Sequence, residues 1–356
     1  MASHVTTRSG RTRLPRLVYG TAWKRERTAD LVYQALQAGF RAIDTAAQPR
    51  HYREDLVAEG VRRALASGVV GARSDLYIQT KFTPPGGQDL EGPNAPPYDP
   101  AAPIAEQVRA SVDSSLRNFT FPRAAAATGG GGGGGGDSEE EKKSYLDCLV
   151  LHSPLPHRED TLAVWEVLQT YVPDRIRTLG VSNVLLGQLQ ELIGVADEVA
   201  AATGTAADLL RPVVVQNRFH SRGNVPDPHN IALRRFCARP DQRIVYQSFW
   251  TLTANPGLVS GRSSAAARAV ADAVQVSPEV AFYGLVALGL GPAEGDAEGD
   301  ADSCPIVILD GTTSAEHMAA DLAGMDKVAA WALSAEGRAP WAAAVADLKK
   351  SIGKRT

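Results

Sequence analysis

The chain has 356 residues, 44% of them hydrophobic, with three cysteines and a formal net charge of −3. Length alone would allow two domains, and the small charge excludes a general electrostatic pull toward nucleic acid or acidic lipid. No stretch is apolar for the length a bilayer crossing needs, and three distant cysteines, Cys148, Cys237 and Cys304, exclude a disulfide framework and suggest a reducing compartment.

The first sixteen residues, MASHVTTRSGRTRLPR, lack acidic groups and are rich in Arg, Ser and Thr. That composition is shared with transit peptides, but the segment has no amphipathic face, so a cytoplasmic protein with a flexible N-terminus over 1–13 is expected. Eight short apolar runs follow: Leu17–Tyr19, Phe40–Ile43, Leu76–Thr80, Leu146–Leu151, Ile176–Leu179, Val213–Val215, Ile244–Tyr246 and Ile306–Leu309. Helical spacing separates them. Thr28 suits an N-cap before Leu31, Val32, Ala35 and Leu36, and Gly39 suits the stop. Further helices are predicted over Leu56–Ala66, Ile104–Leu116, Thr161–Tyr171, Leu185–Leu192, Pro228–Cys237, Pro278–Leu288, Ser314–Leu322 and Pro340–Ile352. Strands alternating with helices indicate parallel βαβ units, and eight of them predict one (β/α)8 barrel, a TIM barrel, over 14–356.

Three segments interrupt the alternation. Pro84–Pro103, rich in Pro, Gly and Asn, follows the third strand and is expected to shape a pocket on the rim. Ala124–Lys143 holds eight consecutive glycines and then DSEEEKK. Glycine loses the most backbone entropy on ordering, so 124–143 is expected to be a disordered insertion between the third helix and the fourth strand. The acidic, glycine-bearing stretch Gly291–Ser303 precedes the last strand and so belongs on the opposite face.

Asp44, Lys81, His152 and Ser182-Asn183 all fall at or just beyond strand ends, and Tyr52 lies in the HYRED segment after the second strand. The strand C-termini of a (β/α)8 barrel form its active rim, so these residues are expected to share one site. A Lys–Asp pair would hold the lysine in place, and the ammonium should lower the pKa of a neighbouring phenol. A phenol so tuned can pass a proton to a substrate oxygen, and a histidine beside it can orient a carbonyl. Such a set suits C=O reduction if a hydride source sits alongside. No metal site is indicated.

The segments LPRLVYGTAW, GFRAIDTA, HYREDLVAEGV, LYIQTKF, YLDCLVLHSP, TLGVSN, VVVQNRFH, VYQSFWTL and VILDGTTSAEHM, in that order, resemble the aldo-keto reductases. The resemblance implies a catalytic tetrad of Asp44, Tyr52, Lys81 and His152, with Tyr52 the general acid. It implies that Ser182, Asn183 and Gln216 hold a nicotinamide carboxamide, that Tyr246 stacks on the ring, and that Ser248 and Leu252 lie along the pyrophosphate. Gly20, Thr21 and Ala22 would flank the ribose; Gly311, Thr312 and Thr313 would meet the adenosine end at a helix start. Trp23, Phe82 and Trp250 would form the substrate pocket. Two departures stand out. Gln48-Pro49-Arg50 lengthens the loop before Tyr52, and His317 stands near where many members carry an arginine for the adenosine phosphate.

The implied activity is NAD(P)H-dependent reduction of an aldehyde or ketone. NADP(H) is the cofactor the family's prevalence favours, and the missing arginine leaves NAD(H) open. The implied partner is a small carbonyl substrate, with no nucleic acid and no membrane, acting on a monomer or weak dimer. Two alternatives differ in class: an idle NADP(H)-binding relative serving as a redox-responsive protein-interaction module, and a lyase or isomerase using Lys81 as a Schiff-base amine.

Overall fold

The computed structural model describes residues 4–7, 12–121, 144–223, 225–291 and 304–353. Eight parallel strands close a barrel in chain order: β3 (Leu17–Gly20), β4 (Ala42–Asp44), β5 (Tyr77–Phe82), β6 (Cys148–Leu151), β7 (Leu179–Ser182), β8 (Pro212–Arg218), β9 (Val245–Phe249) and β10 (Ile306–Asp310). The last strand pairs with the first, Ile308 opposite Leu17. The expected (β/α)8 barrel is the fold. The insertion expected over 124–143 lies outside the described residues, as does most of Gly291–Ser303; their flanking elements are the helix Ile104–Asn118 with β6, and the helix from Pro278 with β10.

Side chains alternate across the barrel wall, which is why runs buried on both faces were needed. Outward residues such as Leu17, Tyr19, Ile43, Ile78, Val181, Tyr246 and Ile308 pack with the helix layer. Inward residues Val18, Ala42, Cys148, Val150, Val214, Val245 and Val307 fill the lower interior, together with Val5 and Leu14. Val5 and Leu14 come from a hairpin, β1 (His4–Thr6) against β2 (Arg13–Pro15), with Val5 opposite Leu14. Its two apolar side chains join the barrel floor, so His4–Thr6 and Arg13, within the stretch 1–13 expected to be flexible, lie in strands.

Local corrections are small. Gly39 does end the first helix, at φ 116°, but Thr28 is that helix's first residue rather than its cap, its hydroxyl donating to Arg25 O at 2.6 Å. The fifth barrel strand lies three residues later than the predicted run. Ile176 only bridges Leu146, whereas at Gly180 a Cβ would stand 3.0 Å from Val214 O, a tight contact that glycine avoids where β7 closes on β8. The helix Ala265–Val274 was not predicted.

Candidate active site

The barrel interior turns polar halfway up. Asp44, the last residue of β4, accepts hydrogen bonds from Lys81 Nζ on both oxygens, at 2.7 and 2.6 Å. Its Oδ1 also accepts from Gln79 Nε2 at 2.7 Å and Gln216 Nε2 at 2.9 Å. Gln247 Oε1 receives the remaining protons of those two amides, at 2.8 and 2.9 Å. Lys81 Nζ completes its set by donating to Thr45 O at 2.7 Å. Asp44 and Lys81 are only 2% and 1% exposed. A charge pair this deep is tolerable because both carboxylate oxygens and all three ammonium protons have partners.

Above this layer stands Tyr52. The lengthened loop closes as a turn, with His51 N and Tyr52 N both donating to Gln48 O, at 3.0 and 2.9 Å. Gln48 pins the turn further by donating to Gly87 O and meeting His51 Nδ1 at 3.0 Å. Tyr52 thereby swings back until its ring centre lies 5.2 Å from Lys81 Nζ and 6.0 Å, edge-on, from the His152 ring. Thr83 Oγ1 lies 2.7 Å from His152 Nδ1, and Asn183 Nδ2 donates to His152 O at 2.9 Å.

The electrostatics differ from expectation at one point. Burial first, and then the Asp44 carboxylate, push the Tyr52 phenol well above its ordinary value. The ammonium of Lys81 was expected to do the reverse, but it is bonded to Asp44, and the pair presents little net charge. Burial also pulls Lys81 down against the raising effect of Asp44. His152 is held far below the usual imidazole range by burial, then by Lys81 and His51, and is neutral near pH 7.

Of these groups Asp44, Gln48, Tyr52, Thr83, His152 and Gln216 line a cavity of about 1000 Å³, at the upper end of what small-molecule and cofactor sites occupy. Its walls run from Tyr52 and His152 past Ser182, Asn183 and Gln216, along Phe249–Thr253, to Gly311, Thr312, His317 and Asp321. Trp23 and Trp250, 63% and 53% exposed, stand at its mouth with positive φ of 63° and 57°. Left-handed backbone at a bulky residue is strained, and Trp23, Asn183 and Trp250 adopt it where they line the cavity.

Residues 16–123 match the sequence model of the Aldo/keto reductase family. Methylglyoxal reductase DkgA of Yersinia pestis is 27% identical over 191 residues, 53% of this chain and 51% of that one. The NAD(P)H-dependent D-xylose reductase of Pachysolen tannophilus is 38% identical over 79 residues, 22% of this chain and 23% of that one. The chain thus spans about half, or less, of the curated relatives it matches. The crystal structure of the aldo-keto reductase AKR2E5 complexed with NADPH superposes with a TM-score of 0.59 at 16% identity, covering 92% of this chain and 86% of that one. Residues 16–123 thus resemble the aldo-keto reductases in sequence, and the described barrel shares their fold.

Of the residues the aldo-keto reductase resemblance implied, Gly20, Ala22, Trp23, Asp44, Tyr52, His152, Ser182, Asn183, Gln216, Trp250, Leu252, Gly311, Thr312 and His317 line the cavity. Lys81 acts from behind Asp44, and Thr21 is buried with its hydroxyl on Asp44 O at 2.9 Å. Thr313 is exposed beside the lining. Three do not reach it. Tyr246 points outward, buried in the helix layer with its hydroxyl on Asn230 Oδ1 at 2.8 Å, so it cannot stack on a ligand in the cavity. Strand parity gives the inward places of β9 to Val245 and Gln247, with Phe249 reaching the cavity wall. Ser248, of the opposite parity, is buried against Thr251. Phe82 faces the Tyr98 ring, 5.7 Å away, under the long loop.

Sequence reasoning missed Gln79 and Gln247, Thr83, Arg218, Glu279, Asp310 and Asp321. Parity would have exposed the glutamines, since Gln79 lies two residues before Lys81 and Gln247 pairs with Gln216 across β8 and β9. Arg218 ends β8, its guanidinium 4.6 Å from the Trp250 ring. The three carboxylates lie 31 and 11 residues apart along the chain, which leaves no spacing signal.

Proposed function

We propose that this protein reduces an aldehyde or ketone to an alcohol with a nicotinamide dinucleotide, Tyr52 serving as general acid. The observation that carries this reading is a phenol kept protonated by burial, standing over the buried Lys81–Asp44 pair and edge-on to a neutral histidine at the floor of a long cavity. A bound reduced nicotinamide would supply hydride to the carbonyl carbon. The oxygen then needs a proton, and Tyr52 gives its phenolic one. The Lys81 ammonium, 5.2 Å from the ring centre and held by Asp44, is the cation that would face the phenolate left behind. Thr83 Oγ1 lies 2.7 Å from His152 Nδ1, and with its hydroxyl as the donor the ring proton would sit on Nε2, the tautomer that hydrogen-bonds a carbonyl oxygen.

The cavity walls fit a dinucleotide. Ser182, Asn183 and Gln216 would hold the carboxamide, with Gly20 and Ala22 beside the ribose. Leu252 and its neighbours would follow the pyrophosphate, and Gly311, Thr312 and Thr313 would meet the adenosine at the start of the helix Ala315–Leu333. The NAD(P)H named for the D-xylose reductase and the NADPH bound to AKR2E5 support a cofactor of this class. Trp23, Trp250 and Arg218 at the mouth would receive the substrate. The Schiff-base alternative needs a lysine amine with a lone pair, whereas all three protons of Lys81 Nζ are committed.

The test is to titrate the protein with NADH and NADPH by fluorescence, then follow oxidation of the reduced nicotinamide across a panel of aldehydes and ketones. The reading predicts binding and carbonyl-dependent oxidation. Tight binding with no turnover on any carbonyl would favour an idle relative.

A further inference from the structure

Arg218 is a cation that the reduction chemistry does not use. It closes β8, and along that strand Val214 faces the barrel interior and Gln216 joins the amide layer on Asp44. Alternation gives Arg218 the same face, about 7 Å further toward the mouth, and its side chain lines the cavity. The strand thus sets a positive charge one step above the group formed by Asp44, Lys81 and Tyr52.

The guanidinium is held but not neutralised. Its carbon lies 4.6 Å from the Trp250 ring centre and 5.8 Å from that of Phe249, the residue paired with Arg218 across β8 and β9. Contact with the rings restrains the side chain and leaves its N–H donors unspent. Among the described residues no carboxylate, carbonyl or hydroxyl meets those donors. Arg218 is also the one lysine or arginine among the described residues that line the cavity. The carboxylates there lie elsewhere: Asp44 is paired with Lys81, and Glu279, Asp310 and Asp321 belong to the acidic β10 end. In the segment after β8 the charge stays positive, and burial, then Arg218 and Arg222, pull the His220 imidazole below its ordinary range.

We infer that Arg218 selects carbonyl substrates that carry a carboxylate. The inference rests on the carbonyl-reduction reading above and names its substrate class. A planar guanidinium can take both carboxylate oxygens in two parallel hydrogen bonds, while the carbonyl end reaches down to Tyr52. A dinucleotide also carries anionic phosphates, but the path suggested for them follows Leu252 toward β10, whereas Arg218 stands on the column of Gln216.

The test compares two acids, 4-formylbenzoate and 4-oxobutanoate, each with its methyl ester, which keeps the carbonyl and loses the charge. The unmodified protein should show kcat/KM about tenfold higher for the acid of at least one pair, the scale of a bidentate, charge-assisted contact at an open mouth. Added salt should shrink that ratio. Arg218→Met should bring the ratio to about one through a higher KM for the acid, and Arg218→Glu should invert it. Equal kcat/KM for acid and ester in both pairs, or a preference that survives Arg218→Met, would overturn the inference while leaving carbonyl reduction intact. So would Arg218→Met weakening NADH and NADPH with the acid-to-ester ratio unchanged, since the guanidinium would then serve the cofactor's phosphates. Turnover of neutral aldehydes without turnover of either acid would do the same. No turnover of any carbonyl would overturn the reduction reading and the inference with it.

Discussion

The two ends of the cavity treat a buried carboxylate in opposite ways. At the barrel centre, Asp44 accepts from Lys81, Gln79 and Gln216, so its charge is balanced and both oxygens are met. At the β10 end, Asp310 faces Asp321, and one of its oxygens has no other donor. The first arrangement is complete in itself and suits a residue that positions others. The second is met only through a proton that the two carboxyls share, so its hydrogen bond depends on pH.

The largest expected effect separates chemistry from binding at the tetrad end. Tyr52→Phe should lower carbonyl reduction by roughly 10²–10⁴-fold, the weight of a positioned general acid, with dinucleotide affinity nearly unchanged. Activity within a few-fold of the unmodified protein would remove Tyr52 from the mechanism. Next, neutralising a carboxylate should have opposite signs at the two ends. Asp44→Asn leaves the Lys81 ammonium buried without its counter-ion and should cost about 3–5 kcal/mol, readable as a lower midpoint in denaturant. A midpoint close to the original would mean that the glutamine layer, not the ion pair, holds the barrel centre.

Asp321→Asn should instead stabilise, and increasingly so as pH rises. The folded pKa of Asp321 is about 8, whereas an unfolded aspartate titrates near 4. The unfolded chain therefore loses this proton first, stability falls as pH rises between those values, and above about pH 8 the loss is complete. The asparagine keeps a donor for Asp310 at every pH. Its thermal midpoint should match the original near pH 4 and exceed it most at pH 8; a constant difference would show that the Asp pair does not share a proton. The smallest effect belongs to His317→Arg, an exposed position, which should tighten NADPH a few-fold and leave NADH alone. No change in the ratio would place any adenosine phosphate elsewhere.

Much of the tetrad end could be read from sequence because a barrel puts strand ends on one rim, and Asp44, Lys81 and His152 lie at or next to them. The chain's alternation located all eight strands, with β7 displaced because Ile176 and Gly180 are told apart only by what packs against them. Tyr246 and Phe82 failed for a different reason. The two faces of these strands are both buried, so apolar content carried no parity signal, and only the partnered glutamines and valines reveal which side is inward. The acidic end was not readable at all. Asp310 looks like the close of an apolar run, and Asp321 and Glu279 look like helix surface until folding brings them to one wall. The ordered hairpin was hidden too, since Val5 and Leu14 are single apolar residues in a polar stretch.

The central claim, hydride transfer to a carbonyl inside this cavity, is tested most directly by isotope transfer. The protein would be supplied with a reduced dinucleotide carrying deuterium at the transferable nicotinamide position and a carbonyl that it turns over, and the alcohol analysed by mass spectrometry. The account predicts one deuterium on the carbinol carbon, with the new hydroxyl proton drawn from exchangeable hydrogen. An alcohol formed without deuterium, using dinucleotide stereochemically labelled on either face, would contradict it.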